Sequence, residues 1–430
     1  MKNLIQILFF TVVVSAMAQT KSMKKSPVLI ESTPVSAGMS EERLSFIDDA
    51  IMKSIEENEI PGAVALVARK GKIIYFKAFG MADNSSKRPM KKDDIFRIAS
   101  QTKAITATAV MMLWEEGKFR LDDPISNYIP AFKNPQVLDS LIERDSSFVA
   151  SKADKEITIR HLITHTSGIG YGFIDGDERF KKIYAKAGII DGFTTEPITI
   201  KENVAKLAKL PLHHNPGEKF TYGEGLDVLG YFIEIVSGMP LDEFFRTRIF
   251  DPLDMDDTWF YLPKSKHDRL VSLQSFKDGK WEKFPTSKEY DPNFPITGAK
   301  SFFAGGAGLS STAMDYATFL QMYLNEGELN GVRLLSRTTV QFMMANQIGD
   351  LWGDSGSYYG LAFGVLDQKG QDKGGEGSIG TFQWGGYFNT MYYADPKEEL
   401  IGILMKQTMD TEVDNSGWKF RQIAGQAIDD

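Results

Sequence analysis

The 430-residue sequence contains no cysteine. That excludes disulfides, cysteine nucleophiles and thiolate metal sites together, and leaves the core to stabilise the fold alone. It lacks a positive balance: the net charge is −8 and the pI about 5.4. An acidic chain is a poor partner for nucleic acid or an anionic membrane. Beyond residue 18 it lacks any apolar run long enough to cross a bilayer. Histidine is scarce, at His161, His165, His213, His214 and His267. His161 and His165 stand four apart, but "HLITHTSG" lacks the glutamate of an H-E-x-x-H zinc helix. His213-His214 precedes Asn215-Pro216-Gly217 and reads as a loop. No metal and no organic cofactor is expected. No G-x-S-x-G stretch is present, so a strand-to-helix nucleophile elbow has no support. "GIGYGF" at 168–173 lacks the context of a nucleotide-binding loop and reads as a cleft wall carrying Tyr171 and Phe173.

What is present is an ordinary globular composition, 42% hydrophobic and 25% charged. A chain this long implies two lobes or one large domain with insertions. Met1–Ala18 differs from the rest. Lys2 precedes the apolar run "LIQILFFTVVVSA", and Ala16-Met17-Ala18 fits an A-x-A cleavage site. This reads as a secretory signal peptide, with a mature chain from about Gln19 that is exported to a periplasm or secreted. Residues 19–39, polar and broken by prolines, are expected to form a flexible leader before one domain over 40–430.

Within that domain, Ser40 is placed to cap a helix over the following residues. "GAVALVARKGKIIYFKAFG" predicts a hairpin turning at Lys70-Gly71. A helix is predicted from Ser100 to near Gly117, others over 225–238, 312–325 and 416–428, and two strands on either side of Asp395-Pro396. Strands at both ends and helices between predict one sheet built from the termini, about 40–98 and 300–430, with a helical lobe over about 99–299 inserted.

The pair Ser100/Lys103 in "DIFRIASQTKAITATAVMMLWEEGK" is the first chemical candidate. Ser-x-x-Lys also occurs at Ser22/Lys25 and Ser416/Lys419, so spacing alone decides nothing. Only Ser100/Lys103 opens an uncharged helix. There the i, i+3 geometry brings amine and hydroxyl onto one face, and the helix dipole favours negative charge on the serine. The alternative is a capping serine beside a solvated lysine.

Two further segments tip the balance. "EKFTYGEGLDVLGYFIEIVSG" places Tyr222 just before a helix, and "FQWGGYF" places Trp384-Gly385-Gly386 on a strand. Together the three resemble the serine beta-lactamase and penicillin-binding protein superfamily, in its class C and family VIII carboxylesterase branch. "HLITHTSGI" and "FFAGGAGLSSTAMDYATF" are similar to stretches common in that group. The resemblance spans about 40–425. It implies an α+β, beta-lactamase/transpeptidase-like fold: a mostly antiparallel sheet flanked by helices, plus the helical lobe, with the site in the groove between. It implies an acyl-enzyme at Ser100, with Lys103 and Tyr222 sharing the base role. A free tyrosine titrates at about 10 and a free lysine at about 10.4, so such a pair works near neutrality only as a coupled unit. The oxyanion donors would be the backbone N–H groups of Ser100 and Tyr387, with Gly385 and Gly386 letting substrate approach the backbone. Tyr171, Glu224, Trp384, Gly385 and Gly386 would line the substrate site.

Two departures from the pattern bear on substrate. Glu224 stands where Asn is usual, either pairing with Lys103 or facing solvent. Trp384 stands where penicillin-recognising members hold a carboxylate with lysine. Both favour a neutral carboxylic ester as the small-molecule substrate. A beta-lactam or D-alanyl peptide is the first alternative, and a non-catalytic ligand-binding protein on the same fold the second.

Overall fold

The central sheet of the computed structural model, which describes residues 22–287, 291–409 and 413–430, has nine strands. They are β1 (Ile30–Glu31), β2 (Gly62–Arg69), β3 (Lys72–Asp83), β4 (Arg88–Pro89), β5 (Ser357–Tyr359), β6 (Gly364–Leu366), β7 (Phe382–Gly386), β8 (Thr390–Asp395) and β9 (Leu400–Met405). Their order is β1-β3-β2-β9-β8-β7-β6-β5, with β4 on β3. Every pairing is antiparallel except the edge pair β1–β3. The sheet closes N-terminal on C-terminal sequence through β2 and β9, where Ala65 faces Leu404. The hairpin β2–β3 turns at Lys70 (φ 52°) and Gly71 (φ 72°), two left-handed residues of the kind a tight hairpin needs.

Both faces of the sheet are covered, so β2 and β9 are buried along their whole length. Six helices matter here: α1 (Glu41–Glu56), α2 (Thr102–Glu115), α3 (Ile200–Leu207), α4 (Gly225–Ser237), α5 (Ala313–Leu324) and α6 (Ser416–Gln426). On one face Ala63, Ala65, Val67 and Leu404 meet Leu44, Ile47 and Ile51 of α1 and Phe420 and Ala424 of α6. On the other, Val64, Leu66, Ile403 and Met405 join the large core that contains α2, α4 and α5. α2 carries no charge between Lys103 and Glu115, and it is buried from Thr102 to Leu113. A helix apolar all round has no solvent face to offer.

Three expectations need correction. The C-terminal stretch forms three strands, not two, because Asn389 (φ 70°) supplies a second turn inside "GGYFNTM". A hairpin over Gln136–Ile142 and Ser147–Lys152 stands where only helices and loops were expected. None of its residues is fully buried, so it shows no clean alternation of buried apolar and exposed polar positions to read. Residues 22–39 of the leader dock on the domain: β1 extends the sheet, and the Ser26 hydroxyl donates to Glu328 Oε2 at 2.6 Å. The signal-peptide stretch, 1–18, lies outside the described residues.

Ser40 caps α1, its Oγ accepting from Arg43 N–H at 3.2 Å. Ser40→Ala should cost about 1 kcal/mol, read as a lower urea midpoint at unchanged slope.

Candidate active site

The chain approaches the site along Phe96–Arg97, which pairs with Ser310–Ser311. Ala99 then takes φ 42°, a left-handed conformation that costs a Cβ-bearing residue about 1–2 kcal/mol. That bend and one 3₁₀ turn, Ala99–Gln101, feed directly into α2. Ser100 is left half-buried at a cleft while Lys103, one turn on, is wholly buried.

The side-chain nitrogen of Lys103 has three hydrogen-bond partners. Its Nζ lies 3.1 Å from Ser100 Oγ, 2.8 Å from the Tyr171 hydroxyl and 2.7 Å from the Gly306 carbonyl. These match the three donors of a lysine side chain. The Gly306 peptide is held from its other side by Asp227, whose Oδ1 accepts from Gly306 N–H at 3.0 Å. A Cβ on Gly306 would fall 2.2 Å from Asp227 Oδ2, and one on Gly305 2.6 Å from the Leu226 carbonyl. The glycines of "FFAGGAGL" therefore let this loop enter between α2 and α4. Thr106 Oγ1 donates to the Gly305 carbonyl, and Thr102 Oγ1 accepts from Leu309 N–H. Burial pushes the Asp227 carboxyl up to about 6 against the downward pull of Lys103.

Tyr222 reaches the same cleft from the segment before α4. Gly223 passes so close to another loop that a Cβ would lie 2.1 Å from the Ile169 carbonyl. Thr221 N–H donates to the His165 carbonyl, Gly223 N–H to His165 Nδ1 and Glu224 N–H to the Gly170 carbonyl. The Tyr222 ring lies 4.8 Å from Lys103 Nζ, and its hydroxyl accepts from Trp384 Nε1 at 3.2 Å. The indole thus forms a wall and also orients the phenol. Sequence reasoning gave Tyr222 a share of the base role with Lys103; the Tyr222 ring does lie against the amine, and a second phenol, Tyr171, makes the hydrogen bond to it. Burial, Tyr222 and the nearby carboxylates push the Tyr171 phenol well above its ordinary value, so it stays protonated.

Ser100, Tyr171, Tyr222, Trp384, Gly385 and Tyr387 line one cleft of about 300 Å³ with Phe173, Ile174, Asp191, Phe193 and Ala307. The strand β7 is pressed against the start of the site by Gly386. A Cβ there would stand 2.2 Å from Thr390 Oγ1 and 2.4 Å from the Ile98 carbonyl. Gly386 therefore serves the approach of strand to nucleophile segment. Glu224 also departs from expectation. It neither faces solvent nor bonds Lys103 but is 1% exposed behind the cleft, against Asp191 and 3.4 Å from Asn203 Nδ2. Asp191 and Phe193 were not foreseen, since "IIDGFTT" has the composition of any turn. Trp352, stacked 6.2 Å from Trp384, and Tyr359 were missed because aromatics mostly serve cores.

The histidines serve local structure. His161 Nδ1 accepts from Thr158 N–H in a helix cap, and His214 bonds Asn215 and Thr221. His213 stacks on Phe180 and meets Asp175 at 3.1 Å. His165 is buried against Tyr222, with ring centroids 4.5 Å apart. Burial and then Lys103 hold it neutral, far below its ordinary value.

The beta-lactamase family model matches residues 47–426. The chain is 30% identical to esterase EstB of Burkholderia gladioli, over 84% of this chain and 90% of that protein. It is 29% identical to lovastatin esterase of Penicillium rubens, over 83% and 91%. The solved structure of EstCE1, a hydrolase with promiscuous acyltransferase activity, superposes with a TM-score of 0.78 at 26% identity, covering 89% of this chain and 99% of that one.

Two outcomes follow from this geometry. Gly386→Ala should destabilise the fold by about 1–3 kcal/mol through overpacking. Thr390→Ala should not rescue it, because the Ile98 carbonyl remains; parallel denaturant melts decide this. A depressed folded pKa for His165 means that the unfolded chain binds the extra proton. Its contribution is therefore intact above about 6.5 and lost as pH falls from there toward the folded value. His165→Gln should flatten that acid limb in a series of melts against pH.

Proposed function

Because the chain belongs to the beta-lactamase family, we propose that it is a serine hydrolase that cleaves carboxylic esters by acyl transfer through Ser100. The observation that carries this is the contact of Ser100 Oγ with a buried lysine, 3.1 Å away, in a cleft it shares with Tyr222. Ser100 Oγ attacks the ester carbonyl carbon, and its proton passes to the Lys103/Tyr222 pair, which accepts it in the state that holds one proton fewer than an ammonium and a phenol. The carbonyl oxygen takes the negative charge and is met by backbone N–H groups of Ser100 and Tyr387. Collapse of the tetrahedral species expels the alcohol, which receives the proton. Water activated by the same pair then attacks the acyl carbonyl, and Ser100 is regenerated.

The cleft supports an uncharged substrate. None of its described lining residues is Lys or Arg, six are aromatic, and the one charged residue among them is Asp191. A carboxylate, as carried by beta-lactams and D-alanyl peptides, meets no Lys or Arg on that lining. The relatives called esterases fit this preference. Export is also proposed, from the apolar run and A-x-A site at the N-terminus. An N-terminus near Gln19 in protein recovered from the periplasm of an expressing bacterium would bear it out.

Purified protein should turn over short-chain p-nitrophenyl esters and be labelled by a fluorophosphonate, and Ser100→Ala should abolish both. Lys103→Ala and Tyr222→Phe should each lower kcat/KM by about 10²–10⁴-fold. Faster turnover of a chromogenic cephalosporin than of any ester would overturn the substrate assignment. Neither turnover nor labelling would point to the non-catalytic alternative.

A further inference from the structure

At the back wall of the cleft four chain segments meet at two carboxyl groups. Glu224, just before α4, and Asp191 are both almost wholly buried and are in side-chain contact. Asp191 accepts from two successive N–H groups, Gly172 N–H at 3.0 Å to each oxygen and Phe173 N–H at 2.9 Å to Oδ2, which leaves lone pairs for a further donor. Successive N–H groups of this kind form an anion-holding nest. Asn203 on α3 ties the same place together. It exchanges hydrogen bonds with Ile190 in both directions at 3.0 Å and reaches Glu224 Oε2. Glu224 Oε1 has no donor at all. An ionised carboxylate so placed would be buried, poorly solvated and pressed against a second carboxylate, a very costly arrangement. A protonated carboxyl resolves the conflict, because its O–H donates to Asp191.

We propose that Glu224 is a positioning residue that holds a proton at neutral pH and donates it in a hydrogen bond to Asp191, so that one shared negative charge clamps the Gly170–Phe173 wall of the cleft. The clamp acts on the chemistry through Tyr171. That residue lies between the peptides that Asp191 and Asp175 hold, and its hydroxyl accepts from Lys103. Burial, followed by Asp191 and Asp227, pushes Glu224 far above the usual carboxylate range, while Lys103 opposes. The other titratable groups facing it are Tyr171 on the wall and Tyr184 beneath it, both held protonated by burial; Asp175 faces Asp191. The inference rests on the hydrolase assignment only for its activity readout.

The test compares wild type with Glu224→Gln, whose amide still donates, and Glu224→Ala, which cannot. At neutral pH the infrared difference spectrum between wild type and E224Q should show the C=O stretch of a protonated carboxylic acid. Its absence overturns the proposal whether or not the protein hydrolyses esters. A raised folded pKa means that Glu224 destabilises the fold progressively as pH climbs above about 4.3, its unfolded value. The stability of E224Q relative to wild type should therefore grow with pH, and a constant difference overturns the proposal. E224Q should keep kcat/KM on the p-nitrophenyl ester within about threefold, while a folded E224A should lose at least about tenfold. A fully active E224A shows that the clamp does not position the site. If E224A does not fold, the E224Q spectrum and melts decide alone. A carboxylic-acid band in a protein without esterase activity would uphold the proton and refute the hydrolase assignment instead.

Discussion

A single buried amine organises this molecule. Lys103 sits in a helix with no solvent-facing side, and a cation there is tolerable only if every N–H finds an acceptor. The three acceptors come from three places. Ser100 belongs to the same helical turn, Tyr171 lies 68 residues away, and the Gly306 carbonyl 203 residues away. Satisfying the lysine therefore means that the cleft wall, the glycine loop and the candidate nucleophile have been brought together. The glycines at 305, 306, 223 and 386 make this possible, each where a Cβ would strike another segment's backbone or a buried side chain.

Around that cation the buried acids are graded. Asp227 reaches Lys103 indirectly, through the Gly306 peptide that both hold. Asp191 and Glu224 lie farther back as an acid–carboxylate pair whose backbone partners are the cleft wall itself. The aromatic groups complete the enclosure. Trp384 donates to Tyr222 and stacks with Trp352, while His165 lies against the Tyr222 ring. A phenol held on one side by an indole N–H and bounded by a neutral imidazole has little freedom to turn.

Much of this was legible in the sequence. The capped helix after Ser40, the Lys70-Gly71 hairpin and the helices over 225–237 and 313–324 appear where local patterning put them. Their caps and periodicities lie within a few residues. The hairpin at 136–152 was illegible because neither face is buried, and the third C-terminal strand was hidden by a turn lacking the usual Asn-Gly pair. Among site residues, Ser100 and Lys103 could be paired because one helical turn sets their distance. Tyr171 was read as a wall and proves to be the lysine's partner. Glu224 was read toward the lysine or the solvent and proves to face Asp191.

The sequence by itself determined which residues carry reactive groups and which helical face joins Ser100 to Lys103, since i, i+3 proximity needs nothing beyond the helix. It also determined the family, through ordered short motifs, and the lack of a cation for a substrate carboxylate at Trp384. Only the tertiary structure decided which phenol bonds the amine, which carboxyl must keep its proton and which glycine meets which backbone. Those choices depend on distances between segments far apart in the chain, and burial then sets the cost of every charge left among them.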